Sequence, residues 1–127
     1  MSDWGAVDEL ADRLFGAIGS GDIDTLRDCM SVDMTVWTNF DGRTVDRDAA
    51  LGTIGWLVGH VNGLHYEVVE RLETSGGFVQ RHILRGTSRS GADIAMPACI
   101  VATVADGRVT SMAEYLDPSP LVAAVTS

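Results

Sequence analysis

Along the first third of the chain, apolar residues recur every three or four positions. Trp4, Val7, Leu10, Ala11, Leu14, Phe15 and Ile18 form one stripe, the period of a helix with a single buried face. Ser2 or Asp3 is placed to cap its start, and Gly19 to end it in the left-handed conformation. A short second helix is predicted next, with Asp22 at its N-terminus and Ile23, Leu26 and Met30 on one face. Asp22 and Asp24 there suit the positive end of the helix dipole. From Asp33 the period falls to two. The run DMTVWTNF sets Met34, Val36 and Thr38 against Thr35, Trp37 and Asn39, and it stops at the turn Asp41-Gly42. A third helix is predicted from a cap at Asp46 to about Val61, with the stripe Ala50, Leu51, Ile54, Leu57, Val58 and Val61. Trp56 falls off that stripe and is expected to cover a neighbouring element.

The second half reads as strands and turns. LHYEVVERLE, FVQRHILR, ADIAMPACIVATV and RVTSMAEYL are four strand-like runs, joined by Gly76-Gly77, the loop GTSRSG and the tight-turn pair Asp106-Gly107. Asp117-Pro118 ends the last strand, and LVAAV is a candidate final short helix. This order predicts one α+β domain over residues 1–127. Its curved antiparallel sheet carries the three helices of the N-terminal half on one face.

Composition narrows the partners. The chain has 127 residues, with eighteen acidic against nine basic side chains and a formal net charge of −9. That sign repels phosphate backbones and anionic lipid, so nucleic-acid and membrane-surface binding are disfavoured. All nine bases are Arg. The absence of Lys removes Schiff-base chemistry and the phosphate-loop lysine, and with abundant Ala, Gly and Val it suggests a GC-rich bacterial genome. Cys29 and Cys99 show no metal-ligand spacing, and His60 and His65 straddle a glycine turn, so no metal site is expected. The acidic N-terminus is unlike a signal peptide and no apolar run approaches the ~20 residues of a membrane span. A cytoplasmic protein without cofactor is expected.

The element order, with GDIDTLRDCMSVDMTVWTNFDG and GRVTSMAEYLD, resembles the superfamily of ketosteroid isomerases and SnoaL-like polyketide cyclases. Limonene epoxide hydrolase and nuclear transport factor 2 share that fold. The resemblance runs from about Leu10 to Asp117. It implies a cone-shaped sheet around a mostly apolar pocket, and a homodimer. The isomerase's catalytic tyrosine, base and protonated aspartic acid correspond to Leu14, Thr38 and Cys99, none of which can do the original work. The epoxide hydrolase's Arg-x-Asp pair corresponds to Gln80 and His82, and its last-strand aspartate to Glu114. Its water-holding pair falls on Val36 and Thr38, or on Trp37 and Asn39 if the strand bulges by one residue.

Alternation supplies the candidate chemistry. On FVQRHILR it places Phe78, Gln80, His82 and Leu84 on one face and Val79, Arg81, Ile83 and Arg85 on the other. The face with two arginines suits solvent or a partner, so Gln80 and His82 are predicted to point under the helices. On the last strand Glu114 lies between Met112 and Leu116, where a buried carboxylate needs a partner. His82 is the expected partner, and a carboxylate beside an imidazole is an acid–base device. If the two touch, the carboxylate should raise the imidazole pKa above ~6.5, while desolvation pushes it down. Leu14, Ile54, Val58, Leu84, Cys99, Met112 and Leu116 are the expected apolar wall, with Thr38, Trp37, Asn39 and Gln80 as polar or aromatic contacts. Trp37 has a second reading, with its ring against the sheet's other face. Tyr66 and Tyr115 read as packing.

Two functions fit. One is a small enzyme performing isomerisation, aldol-type cyclisation or epoxide opening on an apolar molecule, with His82 and Glu114 as acid and base. The other is a non-catalytic module that binds an apolar ligand or a protein through the same cone. Apolar residues on both faces of the strand around Pro97 (Ala95, Cys99 and Val101 against Met96, Ala98 and Ile100) point to pairing through the sheet's outer face.

Overall fold

The computed structural model describes residues 3–127. Helix α1 spans Trp4–Ser20, and Asp3 caps it, accepting a hydrogen bond from the amide of Ala6 at 3.2 Å. The alternative cap, Ser2, lies outside the described residues. The helix stops at Gly21, in the left-handed region at φ 69°, and not at Gly19. Gly19 serves packing instead: a Cβ there would lie 2.8 Å from the carbonyl oxygen of Leu64.

Helix α2 (Ile23–Cys29) is capped by Asp22, whose carboxylate accepts from the amide of Thr25. Strand β1 follows directly over Met30–Thr38, so Met30 opens a strand and does not close the helix. A three-residue strand β2 (Thr44–Asp46) was not legible in the sequence. Helix α3 (Arg47–His60) starts at the predicted cap, Asp46. The rest is a meander of long strands, β3 (Val61–Thr74), β4 (Gly77–Ser88), β5 (Asp93–Ala105) and β6 (Arg108–Leu116), closed by helix α4 (Ser119–Thr126). Asp106 and Gly107 both have positive φ, 53° and 74°, as the predicted tight hairpin turn requires.

The six strands form one curved, open sheet in the order β2-β1-β6-β5-β4-β3. Every neighbouring pair is antiparallel except β1 and β6, which run parallel. That seam is tied at its end by Asn39, whose side-chain oxygen accepts from the amide of Leu116 at 2.8 Å. Pro97 sits one residue beyond the last β5–β6 pair, Ala98 with Leu116, where one side of the strand has no ladder to supply. The helices lie on one side of the sheet, so the predicted α+β architecture holds. The core between them includes Leu10, Leu14, Leu26, Met34, Phe78 and Val109.

Two glycines of α1 separate helix propensity from packing. A Cβ on Gly16 would meet nothing within 4 Å, so Gly16→Ala should stabilise by about 1 kcal/mol. Gly19→Ala gains the same propensity but drives a methyl into the Leu64 carbonyl, and should lose about 1–2 kcal/mol net. Urea unfolding of both variants checks the contrast; equal shifts would show that α1 does not press on β3 there.

Candidate active site

Curvature encloses a cavity of about 300 Å³ between the sheet and the helices, at the small end of ligand pockets. Its floor comes from inward positions of four strands: Val36 and Thr38 on β1, Met112, Glu114 and Leu116 on β6, Met96, Ala98 and Ile100 on β5, and His82 and Leu84 on β4. Phe15 and Ile18 of α1, with Ala50, Thr53, Ile54 and Leu57 of α3, roof it. Phe40, Trp56, Pro118 and Leu121 add apolar surface, and Asp41 and Arg43 add charge. The polar groups that the strands bring to this apolar wall are Thr38, His82, Glu114 and the Tyr66 phenol.

Glu114 and His82 share the cavity but are not a bonded pair. Strand β5 lies between their strands: Glu114 is opposite Ile100, and Ile100 is opposite Gln80, with His82 two residues further along. Two strand spacings put the two backbones about 10 Å apart before that offset is counted. Among the described residues the Glu114 carboxylate has no hydrogen-bond or ion-pair partner. Burial between Met112 and Leu116 pushes its pKa up to about 7.

His82 is bonded to Gln80 instead. The Gln80 amide nitrogen lies 2.8 Å from His82 Nδ1, and both side chains are buried. Gln80 Oε1 accepts from Arg71 Nε at 2.8 Å. The same guanidinium donates to Asp8 Oδ1 at 2.7 Å and Asp12 Oδ1 at 2.8 Å, one turn apart on α1, and to the carbonyl of Asp8. The His82 ring packs edge-on against Tyr66 and Phe15, with centroids 4.7 Å and 5.3 Å away. Burial, with the Arg71 charge added to it, drives its pKa down to about 4. Of the two opposing effects weighed from the sequence, desolvation wins. Burial also pushes the Tyr66 phenol far above its ordinary range, with the nearby charge of Glu114 a second cause.

The predicted wall is partly redrawn. Ile54, Leu84, Met112, Leu116 and Thr38 line the cavity with His82 and Glu114. Thr38 has its hydroxyl committed to Asp41, 2.8 Å away. Gln80 lies behind the wall, touching His82 and not the cavity surface. Leu14 is fully buried one position before the lining residue Phe15. Val58 stands against Gly21 and is 37% exposed, because the cavity-facing stripe of α3 is Ala50, Thr53, Ile54 and Leu57. Trp56, expected elsewhere, lines the cavity and stacks on His60. Cys99 faces outward, since the inward residues of β5 are Met96, Ala98 and Ile100. The pairing of β1 with β6 is continuous from Thr35 to Thr38, so Trp37 is on the outer face, packed on Tyr115, and Asn39 ties the strand end.

Arg71 was not legible in the sequence. Simple alternation groups it with Val69 and Glu67, away from Tyr66, but β3 shifts register between Val68 and Glu70. That bulge reverses the faces, turning Arg71 inward and leaving Leu72 51% exposed. The available signal was the spacing of Asp8 and Asp12, which puts two carboxylates on one helix face. Among the described residues no group of three or more His, Cys, Asp or Glu side chains could hold a metal ion, and no helix is long and apolar enough to cross a membrane.

The family model of the SnoaL-like domain matches residues 11–112. No curated protein sequence matches this one. Among solved structures, IdmH of Streptomyces antibioticus, described as a candidate polyketide cyclase, superposes with a TM-score of 0.82 at 20% identity, covering 95% of this chain and 99% of that one. An epoxide hydrolase of M. tuberculosis resembling limonene epoxide hydrolase gives 0.77 at 15% identity, over 96% and 90%. A protein of Catenulispora acidiphila with a ketosteroid isomerase-like fold, bound to trimethylamine, gives 0.78 at 15%, over 93% and 92%. At these identities the likeness is one of fold.

The raised pKa of Glu114 has a consequence for stability. The folded chain holds this proton more tightly than the unfolded one, so the associated stability is present below about pH 4.5 and is lost as pH rises through about 7. His82 acts in the opposite sense, losing stability as pH falls from 6.5 towards about 4. Glu114→Gln removes only the first effect. Its melting temperature should exceed that of the parent at pH 8, and the gain should vanish by pH 4.5. Thermal unfolding across that range reads the difference; a gain independent of pH would place Glu114 in water.

Proposed function

The chain belongs to the SnoaL-like domain family, and from that premise we propose that it is a cofactor-free enzyme moving a proton on an apolar small molecule held in the cone. The observation that carries this reading is Glu114: an unpartnered carboxylate in an apolar cavity, with a pKa of about 7. A group so poised is half ionised at neutral pH and can both take and return a proton. His82, neutral above about pH 4, serves as a hydrogen-bonding group and not as a cation. Across the cavity from Glu114, it suits a substrate oxygen on which negative charge develops as the carboxylate removes a neighbouring C–H proton.

Enolisation of this kind is the shared step of isomerisation and aldol-type cyclisation. Epoxide opening requires a water clamped by several polar groups, whereas the β5 residues between Glu114 and His82 are Ala98 and Ile100. Cys29 and Cys99 are both free thiols, which suits the cytoplasm. The outer face of the sheet carries Val101 and Tyr115, 41% and 48% exposed, beside Trp37 and Cys99. We assign that face to a second copy of the chain.

Deuterium exchange at the α-carbon of 2-tetralone, an apolar bicyclic ketone, tests the chemistry. The catalysed rate should rise with pH through about 7 as Glu114 ionises, without a second inflection near the usual histidine value. Glu114→Gln should reduce it by about 10²- to 10⁴-fold. Binding of 2-tetralone without catalysed exchange would favour the non-catalytic reading.

For the assembly, sedimentation equilibrium at micromolar concentration should give twice 13.5 kDa. Val101→Arg should return the monomer with the fold intact by circular dichroism. A parent protein that sediments only as monomer removes the dimer.

A further inference from the structure

We infer that Arg71 and Gln80 are positioning residues, which hold His82 in the tautomer bearing its proton on Nε2 and so present an N–H donor to the cavity. The inference rests on the catalytic reading for its purpose, but not for its geometry. An arginine side chain has donors only. Arg71 Nε therefore fixes the Gln80 amide with its oxygen towards the guanidinium. The amide NH₂, again only a donor, is left facing His82 Nδ1 at 2.8 Å. Nδ1 must then be the acceptor, and the proton of the neutral ring resides on Nε2.

Every alternative sets donor against donor. Turning the amide over would point its NH₂ at Arg71 Nε–H, and protonating Nδ1 would point it at the amide NH₂. Nε2 itself has no partner among the described residues, and it is not sealed from solvent. The groups around the ring are Phe15 from α1, Tyr66 and Arg71 from β3, Gln80 from its own strand and Glu114 in the shared cavity. None of them supplies an acceptor to Nδ1. Asp8 and Asp12 anchor the far end, holding the guanidinium so that it cannot swing away from Gln80.

The other two histidines provide an internal contrast. His60 Nδ1 lies 2.8 Å from the carbonyl of Trp56, and His65 Nδ1 lies 2.8 Å from the carbonyl of Gly63. A carbonyl accepts only, so both rings donate from Nδ1, the reverse of His82.

Two-bond ¹H–¹⁵N correlation spectra of the ligand-free, ¹⁵N-labelled protein at pH 7 read the tautomers directly. His82 should show a pyridine-like Nδ1 and a pyrrole-like Nε2. Gln80→Glu puts an acceptor in the same place, bonded to Arg71 as before, and should move the proton onto Nδ1. Arg71→Met frees the amide to turn and should give averaged, mixed-tautomer signals. A protonated Nδ1 in the parent, or an unchanged His82 pattern in Arg71→Met, would overturn the inference; the parent and Arg71→Met spectra decide it even if Gln80→Glu does not fold. In the 2-tetralone assay, Arg71→Met should lower kcat at least tenfold with KM changed less than threefold, as expected for a group acting through His82. If the tautomers behave as stated but no variant or parent catalyses exchange, the proposed chemistry fails and the positioning stands.

Discussion

The concave face of this sheet is lined mostly by apolar side chains, and each polar group there must be neutral, paired or open to the cavity. The groups meet that constraint in three ways. Arg71 is paired, donating to two carboxylates of α1 and to the amide oxygen of Gln80. His82 gives up its charge. Glu114, with cavity space in front of it, is left near the midpoint of its titration. The placement of α1 depends on the first of these as well as on its apolar stripe, since Asp8 and Asp12 bind the helix to β3 through one guanidinium.

What the sequence disclosed and withheld follows from strand parity. Helix faces and caps were legible because Asp3, Asp22 and Asp46 act over three residues. The inward placement of His82 and Glu114 was legible because β4 and β6 alternate without interruption around them. Their separation was not, because alternation says which way a side chain points and nothing about which strand lies between. Arg71 was hidden by the bulge in β3. Cys99 and Leu14, both expected in the wall, lie outside it, because the inward residues of β5 are Met96, Ala98 and Ile100 and those of α1 are Phe15 and Ile18.

The same architecture superposes on proteins described by different chemistries, at identities of 15 to 20%. Shared curvature gives them a cavity; it does not give them a reaction. Of Leu14, Thr38 and Cys99, the residues that the resemblance sets against isomerase positions, only Thr38 lines the cavity, with its hydroxyl engaged by Asp41. The titratable groups that β4 and β6 bring to the cavity are His82 and Glu114. Where the strand floor of an apolar cavity carries one carboxylate and one imidazole, proton transfer is the simplest use of the two.

The hydrogen-bonded row from α1 through Arg71 and Gln80 to His82 also shapes how this sequence can drift. Losing one member strands a buried donor or acceptor in its neighbour, at a cost of about 1–3 kcal/mol, while replacing the row together with apolar side chains can be close to neutral. Positions 71, 80 and 82 are thus energetically coupled, and a change at one costs least when the others change with it. The residues between them in sequence, such as Val79 and Arg81 on the opposite face of β4, are free to vary separately. A chain that exchanged this row for leucines would keep the cone and Glu114 and lose the imidazole across the cavity, all through one connected set of side chains.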